Sequence, residues 1–295
     1  MFIGRVFDDR KKKMLTIVFA AAAFFLIALI FWIIWGNTAL QLNTYTGSSN
    51  QLPGAFDGYR IAHISDLHNA EMGKDNENLI HMLQEARPDL IAITGDLIDS
   101  RRTRVDLALR FVGEAVKIAP CFYVPGNHEA KASEYADLKN GLIQAGVTVL
   151  EDERIDVTQN GARITLIGVS DPRFHADGWF DDEKAVVDAQ LKKLAHEKDP
   201  FTVLLSHRPE LFEIYASSHV DVVLSGHAHG GQFRLPFIGG LVAPNQGLFP
   251  KYDAGLYTKG DTKMIVSRGI GNSLFPFRFN NRPEVLLIEL KCAAS

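Results

Sequence analysis

The sequence predicts an α/β domain behind a single apolar segment, and three observations predict it. From Tyr59 onward, short runs rich in branched residues alternate with stretches whose apolar residues recur at helical spacing. Polar residues gather directly after those runs, where the strands of an α/β sheet would end. Ahead of them, residues 14–35 form a run of 22 residues with no charge and only Thr16 as a polar side chain.

Composition narrows the class. With 295 residues, 46% apolar and 22% charged, the chain has ordinary globular usage, which excludes disordered, collagen-like and multi-span membrane proteins. The net charge of -4 supplies no sequence-wide cationic field, so no stable nucleic-acid binding is expected and any phosphate chemistry must find positive charge locally. Cys121 and Cys292 can form neither a zinc cage alone nor a disulfide framework, and pairing between them stays open.

Taken in order, residues 1–13 carry Arg5, Arg10, Lys11, Lys12 and Lys13 and read as a basic cytoplasmic tail. Residues 14–35 read as a transmembrane anchor, since at 1.5 Å per residue they reach ~33 Å, enough for the ~30 Å hydrocarbon core. Trp32 and Trp35 suit the headgroup zone, and the positive-inside bias places the following domain outside the cytoplasm. A cleaved signal peptide competes with this reading, but the run is too long and Asn37-Thr38-Ala39 makes a poor cleavage site. Residues 36–58 read as a tether, although Leu40, Leu42 and Thr44 alternate with polar residues as an edge strand would.

Residues 59–292 then read as the catalytic domain. Strands are expected at 60–65, 90–94, 121–124, 162–169, 201–206 and 220–225, and helices at 76–85, 105–117, 133–144 and 182–196. After Gly226 the pattern changes to short strands, glycines and prolines, with no internal repeat or low-complexity tract anywhere.

Five strand tips carry the chemistry: Ser65-Asp66-Leu67-His68, Thr94-Gly95-Asp96, Gly126-Asn127-His128-Glu129, Ser206-His207 and Gly226-His227-Ala228-His229. Singly, each has a plain explanation as a capped or tight turn. The last is the most specific, because two imidazoles one residue apart in a glycine-flanked loop can face two different ions. Together, two Asp, one Asn and several His without Cys make a ligand set for Mn²⁺, Fe²⁺ or Zn²⁺, whereas Mg²⁺ and Ca²⁺ favour all-oxygen cages.

The order D-x-H, G-D, G-N-H-E, S-H, G-H-x-H resembles the calcineurin-like metallophosphoesterase superfamily from Tyr59 to about Leu290. The longer strings around Asp66 and His227, with Arg268-Gly269-Ile270-Gly271, are similar to its membrane-associated YkuE and YaeI-like branch, to which a UDP-2,3-diacylglucosamine hydrolase of lipid A biosynthesis is similar. The resemblance implies a four-layer αββα sandwich holding two divalent ions. Asp66, His68 and His229 would hold the first, Asn127, His207 and His227 the second, and Asp96 would bridge both. His128 would act as the acid, aligned by a neighbouring carboxylate. The chain departs from some exported relatives in lacking a twin-arginine signal, since Arg10 is followed by Lys11.

Substrate contacts are expected from His175, Arg208 and Arg234, which follow motif strands or loops. Segments 248–252 and 274–279 mix aromatics with cations, among them Phe249, Tyr252, Phe275, Phe277, Arg278 and Phe279. They read as an amphipathic lip in the lipid interface, with loop packing as the alternative. His81 and His196, on predicted helices, read as solvated side chains.

The expected function is therefore a membrane-anchored hydrolase, Mn²⁺ being its foremost metal, that cleaves a phosphate ester or pyrophosphate bond of a lipid-linked substrate such as UDP-2,3-diacylglucosamine. A soluble nucleotide phosphoester is the alternative substrate, and a non-catalytic protein-binding scaffold is the alternative role. Nucleotide-linked lipid precursors are cytoplasmic, so that particular substrate calls for the opposite orientation from the one the charge bias gives.

Overall fold

A computed structural model describes residues 2–175, 182–197, 199–272 and 275–293. The chain begins with α1 (Phe2–Thr38), β1 (Gln41–Ser49), β2 (Arg60–Ile64), α2 (Glu77–Ala86), β3 (Leu90–Thr94), α3 (Val105–Ala115) and β4 (Cys121–Val124). It continues with α4 (Tyr135–Gln144), β5 (Thr148–Val149), β6 (Glu153–Gln159), β7 (Ala162–Val169), α5 (Glu183–Leu194), β8 (Thr202–Ser206), α6 (Phe212–Ala216) and β9 (Val222–Ser225). Two hairpins follow, β10 (Arg234–Leu235) with β11 (Gly239–Gly240) and β12 (Val242–Ala243) with β13 (Gly247–Leu248). The chain then runs through β14 (Gly255–Lys259), β15 (Thr262–Val266) and β16 (Glu284–Cys292).

Strand alternation sorts the apolar side chains into three cores. One sheet has the order β1-β16-β2-β3-β4-β5 and the other β14-β15-β9-β8-β7-β6. Ile91 and Ile93 of β3 face outward onto Leu79, Leu83, Phe111, Val112, Leu138 and Leu142 of α2, α3 and α4. Leu90 and Ala92 of the same strand face inward, onto Val203, Leu205, Val222 and Leu224 of the second sheet. The outer face of that second sheet, including Ile167, Leu204 and Val223, packs on Val187 and Leu191 of α5 and on Phe212 and Tyr215 of α6. Period-two side chains covered on both faces give the four layers, helix, sheet, sheet, helix, and account for the near-continuous apolar strands. α5 starts where it does because the Asp182 side chain accepts from the Lys184 N–H at 3.0 Å, capping the first turn.

Residues 36–58 are not a tether throughout. β1 lies parallel to β16 through nine register pairs, from Gln41↔Glu284 to Ser49↔Cys292, so the first sheet starts well before residue 59. β1 reaches α1 directly. Within α1, Lys11–Thr38 is long and apolar enough to cross a membrane: its apolar 18-residue stretch has a mean hydropathy of 3.0 and no buried residue, whereas Gly36 near its end is buried. Its last turn closes on itself, with Asn37 Nδ2 donating to the Ile33 carbonyl and Thr38 Oγ1 to the Ile34 carbonyl.

Candidate metal centre

Three of the five motif segments leave their strands through unusual turns. Asp66 (φ 54), His68 (φ 46), Asp96 (φ 53), His227 (φ 64) and His229 (φ 48) all occupy the left-handed region, uncommon for residues with a Cβ. Such conformations cost on the order of 1–3 kcal/mol each and persist where the surroundings over-determine them, typically at functional sites. β2 delivers Asp66 and His68, β3 delivers Asp96, β4 Asn127 and His128, β8 His207, and β9 His227 and His229. These are central strands of the two sheets, so their tips converge at one end of the sandwich. Glycine makes the approach possible: a Cβ on Gly126 would overlap the Asp96 carboxylate, and one on Gly226 would overlap Ser65 Oγ and Asp66 Oδ2.

Three buried triads result: Asp66 with His68 and His229, Asp96 with His207 and His227, and His68 with Asp99 and His128, of which the first two contain the motif acids. In the first, His68 Nε2 lies 3.2 Å from His229 Nε2, and His229 Nε2 lies 3.3 Å from Asp66 Oδ1. In the second, His207 Nε2 lies 3.1 Å from Asp96 Oδ2 and 3.2 Å from His227 Nδ1. Asp96 Oδ2 is also 3.5 Å from His68 Nε2, so one carboxylate oxygen faces both groups. Its other oxygen accepts the His128 N–H at 2.9 Å, and the Asp66 carboxylate accepts the His227 N–H at 3.0 Å. These bonds fix the carboxylates from behind.

The donor set fits divalent cations. His207 Nδ1 is 2.7 Å from the Thr94 carbonyl, which can only accept, so Nδ1 carries the hydrogen and Nε2 of the neutral ring points a lone pair at Asp96 Oδ2. Two acceptors 3.1 Å apart need a proton or a cation between them. Without an ion the proton fills that role. Burial opposes it, but the Asp96 and Asp66 charges prevail and His207 is raised to about 10. His229 is lowered to about 3, mainly by burial, and His227 falls well below the ordinary histidine value for the same reason. Asp66 and Asp96 stay ionised, their facing histidines outweighing burial. Asn127 Oδ1 is a buried acceptor with no hydrogen-bond partner, as a carbonyl ligand awaiting a cation would be.

His128 stands beside the first triad, its ring edge-on to His68 at 4.5 Å between centroids. Among the described residues, Asp99 is the carboxylate paired with His128, and its Oδ1 is 3.7 Å from Nδ1, beyond hydrogen-bond range. Nδ1 instead accepts the Ser100 backbone N–H at 3.1 Å. A backbone N–H can only donate, so the neutral ring carries its hydrogen on Nε2. Burial lowers His128 to about 4.

The expected substrate residues divide. Arg208 has no exposed surface and is held by both oxygens of Asp171, with Nη2 at 3.0 Å from Oδ1, and by Glu210 at 3.2 Å. Arg278 is 1% exposed and donates to the Arg268 and Gly271 carbonyls and to Asn272, with Nη2 3.5 Å from His229 Nδ1. Both therefore brace the site from behind and do not open onto its mouth, because a buried guanidinium is stable only when its donors are satisfied within the protein. Arg234 bridges the Gly230 carbonyl and Asp253, each at 2.9 Å. His175 pairs with Asp152 at 2.7 Å and lines a different recess with Val186, Gln190 and Leu194. Phe275 and Phe277 are each 40% exposed and pack edge-on against Phe233. Tyr252, in contrast, is buried between Phe212 and Tyr257, and Leu274 lies outside the described residues.

Three features of the site escape a reading of the sequence. Glu129 is buried and accepts from the Asp96, Gly126 and Ile98 N–H groups at 2.8, 2.8 and 3.2 Å, tying the G-D and G-N-H-E turns together. Its place in the motif string is the one signal that could have found it. The Ser100 backbone leaves no trace in the sequence. A recess of about 350 Å³ opens over Asp96, Asn127, His128, His227 and His229, and its remaining wall includes Arg101, Lys131 and Arg173, three cations scattered along the chain.

The family model described as calcineurin-like phosphoesterase matches residues 59–231. Phosphodiesterase YaeI of Escherichia coli is 30% identical over 79% of this chain and 82% of its own length. The uncharacterized metallophosphoesterase YkuE of Bacillus subtilis is 29% identical over 85% of this chain and 86% of its own. A transmembrane protein with a metallophosphoesterase domain from Bos taurus is 28% identical over 83% of this chain and 55% of its own.

Proposed function

The chain belongs to the calcineurin-like phosphoesterase family and is a metal-dependent phosphoester hydrolase, and from that premise we propose the residues, substrate and setting of its reaction. The family works with a dinuclear divalent centre. We assign Asp66, His68 and His229 to one ion, Asn127, His207 and His227 to the other, and Asp96 to both. The observation that carries the assignment is Asp96 Oδ2, 3.1 Å from His207 Nε2 and 3.5 Å from His68 Nε2. Imidazole, carboxylate and amide donors favour Mn²⁺, Fe²⁺ or Zn²⁺, with Mn²⁺ foremost.

When bound, the pair of ions supplies Lewis-acid stabilisation of the phosphoryl oxygens and a nucleophile at neutral pH. The chain supplies the rest. Asp66 and Asp96, anchored by backbone N–H groups, keep the ligands in place without reorganisation. The Thr94 carbonyl holds His207 in the tautomer that offers Nε2. His128 presents Nε2–H to the leaving oxygen, because the Ser100 N–H occupies Nδ1.

Our reading of the setting is an anchored enzyme acting on a lipid-linked phosphoester, with residues 1–13 cytoplasmic, 14–35 spanning the membrane and the sandwich outside. The end of α1 meets the rim segment: Asn37 Nδ2 donates to the Arg278 carbonyl at 3.1 Å and Asn37 Oδ1 accepts the Arg278 N–H at 2.8 Å. In that segment Phe275 and Phe277 are exposed, and so are Phe237, Ile238, Leu248 and Phe249 of the two hairpins, apolar side chains suited to a lipid interface. Phe237 and Ile238 thus join the lip, and Tyr252 leaves it.

The test is turnover by purified full-length protein stripped of metal and restored with Mn²⁺. Matched acylated and deacylated phosphoesters are compared for the wild type and for Phe275→Ser with Phe277→Ser. An acyl preference of about a hundredfold, four buried methylenes at ~0.8 kcal/mol each, is expected and should shrink in the variant. No Mn²⁺-dependent turnover of any phosphoester contradicts the hydrolase, and turnover without acyl preference contradicts the lipid reading alone.

A further inference from the structure

Arg278 is a buried guanidinium that pairs with no carboxylate among the described residues. Taking such a charge out of water is costly, and no ion pair offsets it here. Its donors go instead to one short loop. Nη1 donates to the Arg268 carbonyl at 2.7 Å, Nη2 to the Gly271 carbonyl, and Nε to Asn272 Oδ1 at 3.1 Å. The planar fork thereby clamps residues 268–272 in one conformation.

That loop lies directly behind the left-handed turn carrying Asp66 and His68. The Ile270 N–H donates to the Ser65 carbonyl at 3.2 Å and the Gly271 N–H to the Asp66 carbonyl at 2.7 Å. A Cβ on Gly269 would come within 2.6 Å of Asp66 Cβ, and one on Gly271 within 2.1 Å of the Leu67 carbonyl oxygen, so only bare backbone fits there. His229 is held from the same side: Arg278 Nη2 stands 3.5 Å from its Nδ1, and Asn281 Nδ2 donates to its carbonyl at 2.7 Å. The three ligands assigned to the first ion thus rest on residues 268–281. Those of the second ion are held elsewhere, His207 by the Thr94 carbonyl and the His227 N–H by the Asp66 carboxylate.

The clamp is itself fastened to α1. Asn37 Nδ2 donates to the Arg278 carbonyl at 3.1 Å, while Asn37 Oδ1 accepts the Arg278 N–H at 2.8 Å and Asn272 Nδ2 at 3.2 Å. One side chain of the helix end therefore holds both the Arg278 backbone and the amide that orients its guanidinium. We infer that Arg278 is a positioning residue for the first ion and that Asn37 seats it, so that the last turn of α1 is a working part of the metal centre as well as an attachment. The inference rests on the ligand assignment above and goes beyond it.

The experiment titrates metal-free, full-length protein in detergent with Mn²⁺ by calorimetry and records the electron paramagnetic resonance of the loaded samples. Arg278→Met keeps the apolar stem and removes the fork, and should weaken one of the two ions by about 10–100-fold, the scale for a group behind a metal ligand. Asn37→Ala should weaken the same ion by about tenfold. At Mn²⁺ concentrations between the two affinities, the spectrum of a coupled pair should give way to that of an isolated ion. Arg278→Lys should not restore the pair, because one ammonium cannot reproduce the fork. Two backgrounds identify the ion: Arg278→Met should weaken the ion left in Asn127→Ala and leave unchanged the ion left in His68→Ala. Arg282→Met loosens the same helix end, where Arg282 donates to the Ala39 and Leu40 carbonyls, and should lower stability yet keep both ions. Equal weakening of both ions, weakening of neither, or an Arg282→Met variant that behaves like Arg278→Met overturns the positioning role while the binuclear centre stands. Should Arg278→Met fail to fold, Asn37→Ala carries the same test. A wild type that binds fewer than two Mn²⁺ overturns the ligand assignment and this inference with it.

Discussion

The Ser100 N–H decides which nitrogen of His128 can serve a substrate. With Nδ1 occupied at 3.1 Å, Nε2 carries the hydrogen. His128→Ala should retain metal and lose about 10²–10⁴ in turnover on substrates with poor leaving groups, the usual scale for a proton-donating group. Full turnover by that variant on alkyl phosphoesters would contradict the assignment. His207 gives a second prediction with a definite sign. The carboxylates raise it to about 10, above an unfolded value near 6.5, so in metal-free protein its stabilisation is complete below about 6.5 and fades as pH rises through about 10. A cation must expel that proton, so metal affinity should rise by about tenfold per pH unit from 6.5 toward 10 where one proton is released. Calorimetric titration with Mn²⁺ in buffers of different ionisation enthalpy would reveal the released proton, and a pH-independent affinity would contradict the charge balance proposed for the site. Residue types at strand tips made Asp and His groups that could hold metal legible in sequence. Burial was not legible, which is why Arg208 and Arg278 read as substrate contacts: a cation near a motif looks the same on paper whether Asp171 or solvent receives it.

At the scale of elements, α1 matters for more than its length. Asn37 exchanges two hydrogen bonds with the Arg278 backbone and receives one from Asn272 at 3.2 Å, while Arg282 donates to the Ala39 and Leu40 carbonyls and lies 4.7 Å over the Trp35 ring. The helix end is thereby fastened to the segment whose Arg278 reaches His229. Asn37→Ala should destabilise the protein by about 1–3 kcal/mol, since it strips partners from half-buried backbone groups. Thermal unfolding in detergent would show this as a lower Tm, and an unchanged Tm would mean that the contact contributes nothing. The core strands were readable because β2, β3, β4, β7, β8 and β9 are short, mostly apolar runs rich in branched or aromatic residues. β1 was legible only as the alternation around residues 40–44 and β6 not at all, because each is a sheet edge whose exposed half is largely polar, and pairing of β1 with β16 is a contact between positions more than two hundred residues apart. Helix ends were legible within a few residues, the Asp182 cap of α5 being the clearest local signal.

For the whole molecule, five N-terminal cations before an apolar span predict that protease added to intact spheroplasts digests the sandwich. Protection until lysis would reverse the orientation and favour a cytoplasmic nucleotide-linked lipid. The four-layer architecture followed from the motif order more than from periodicity, because apolar alternation gives faces but not which sheet a strand joins. What the molecule does with those layers is to bring five strand tips to one end and aim two acids, an amide and four imidazoles at one space. The direct test of that arrangement is the metal content of purified protein saturated with Mn²⁺ and freed of excess, for the wild type and Asp96→Ala. A shared bridging carboxylate predicts about two equivalents per chain in the wild type and loss of tight binding at both positions in the variant. One equivalent or fewer in the wild type, or a variant that still holds two, would contradict the binuclear centre.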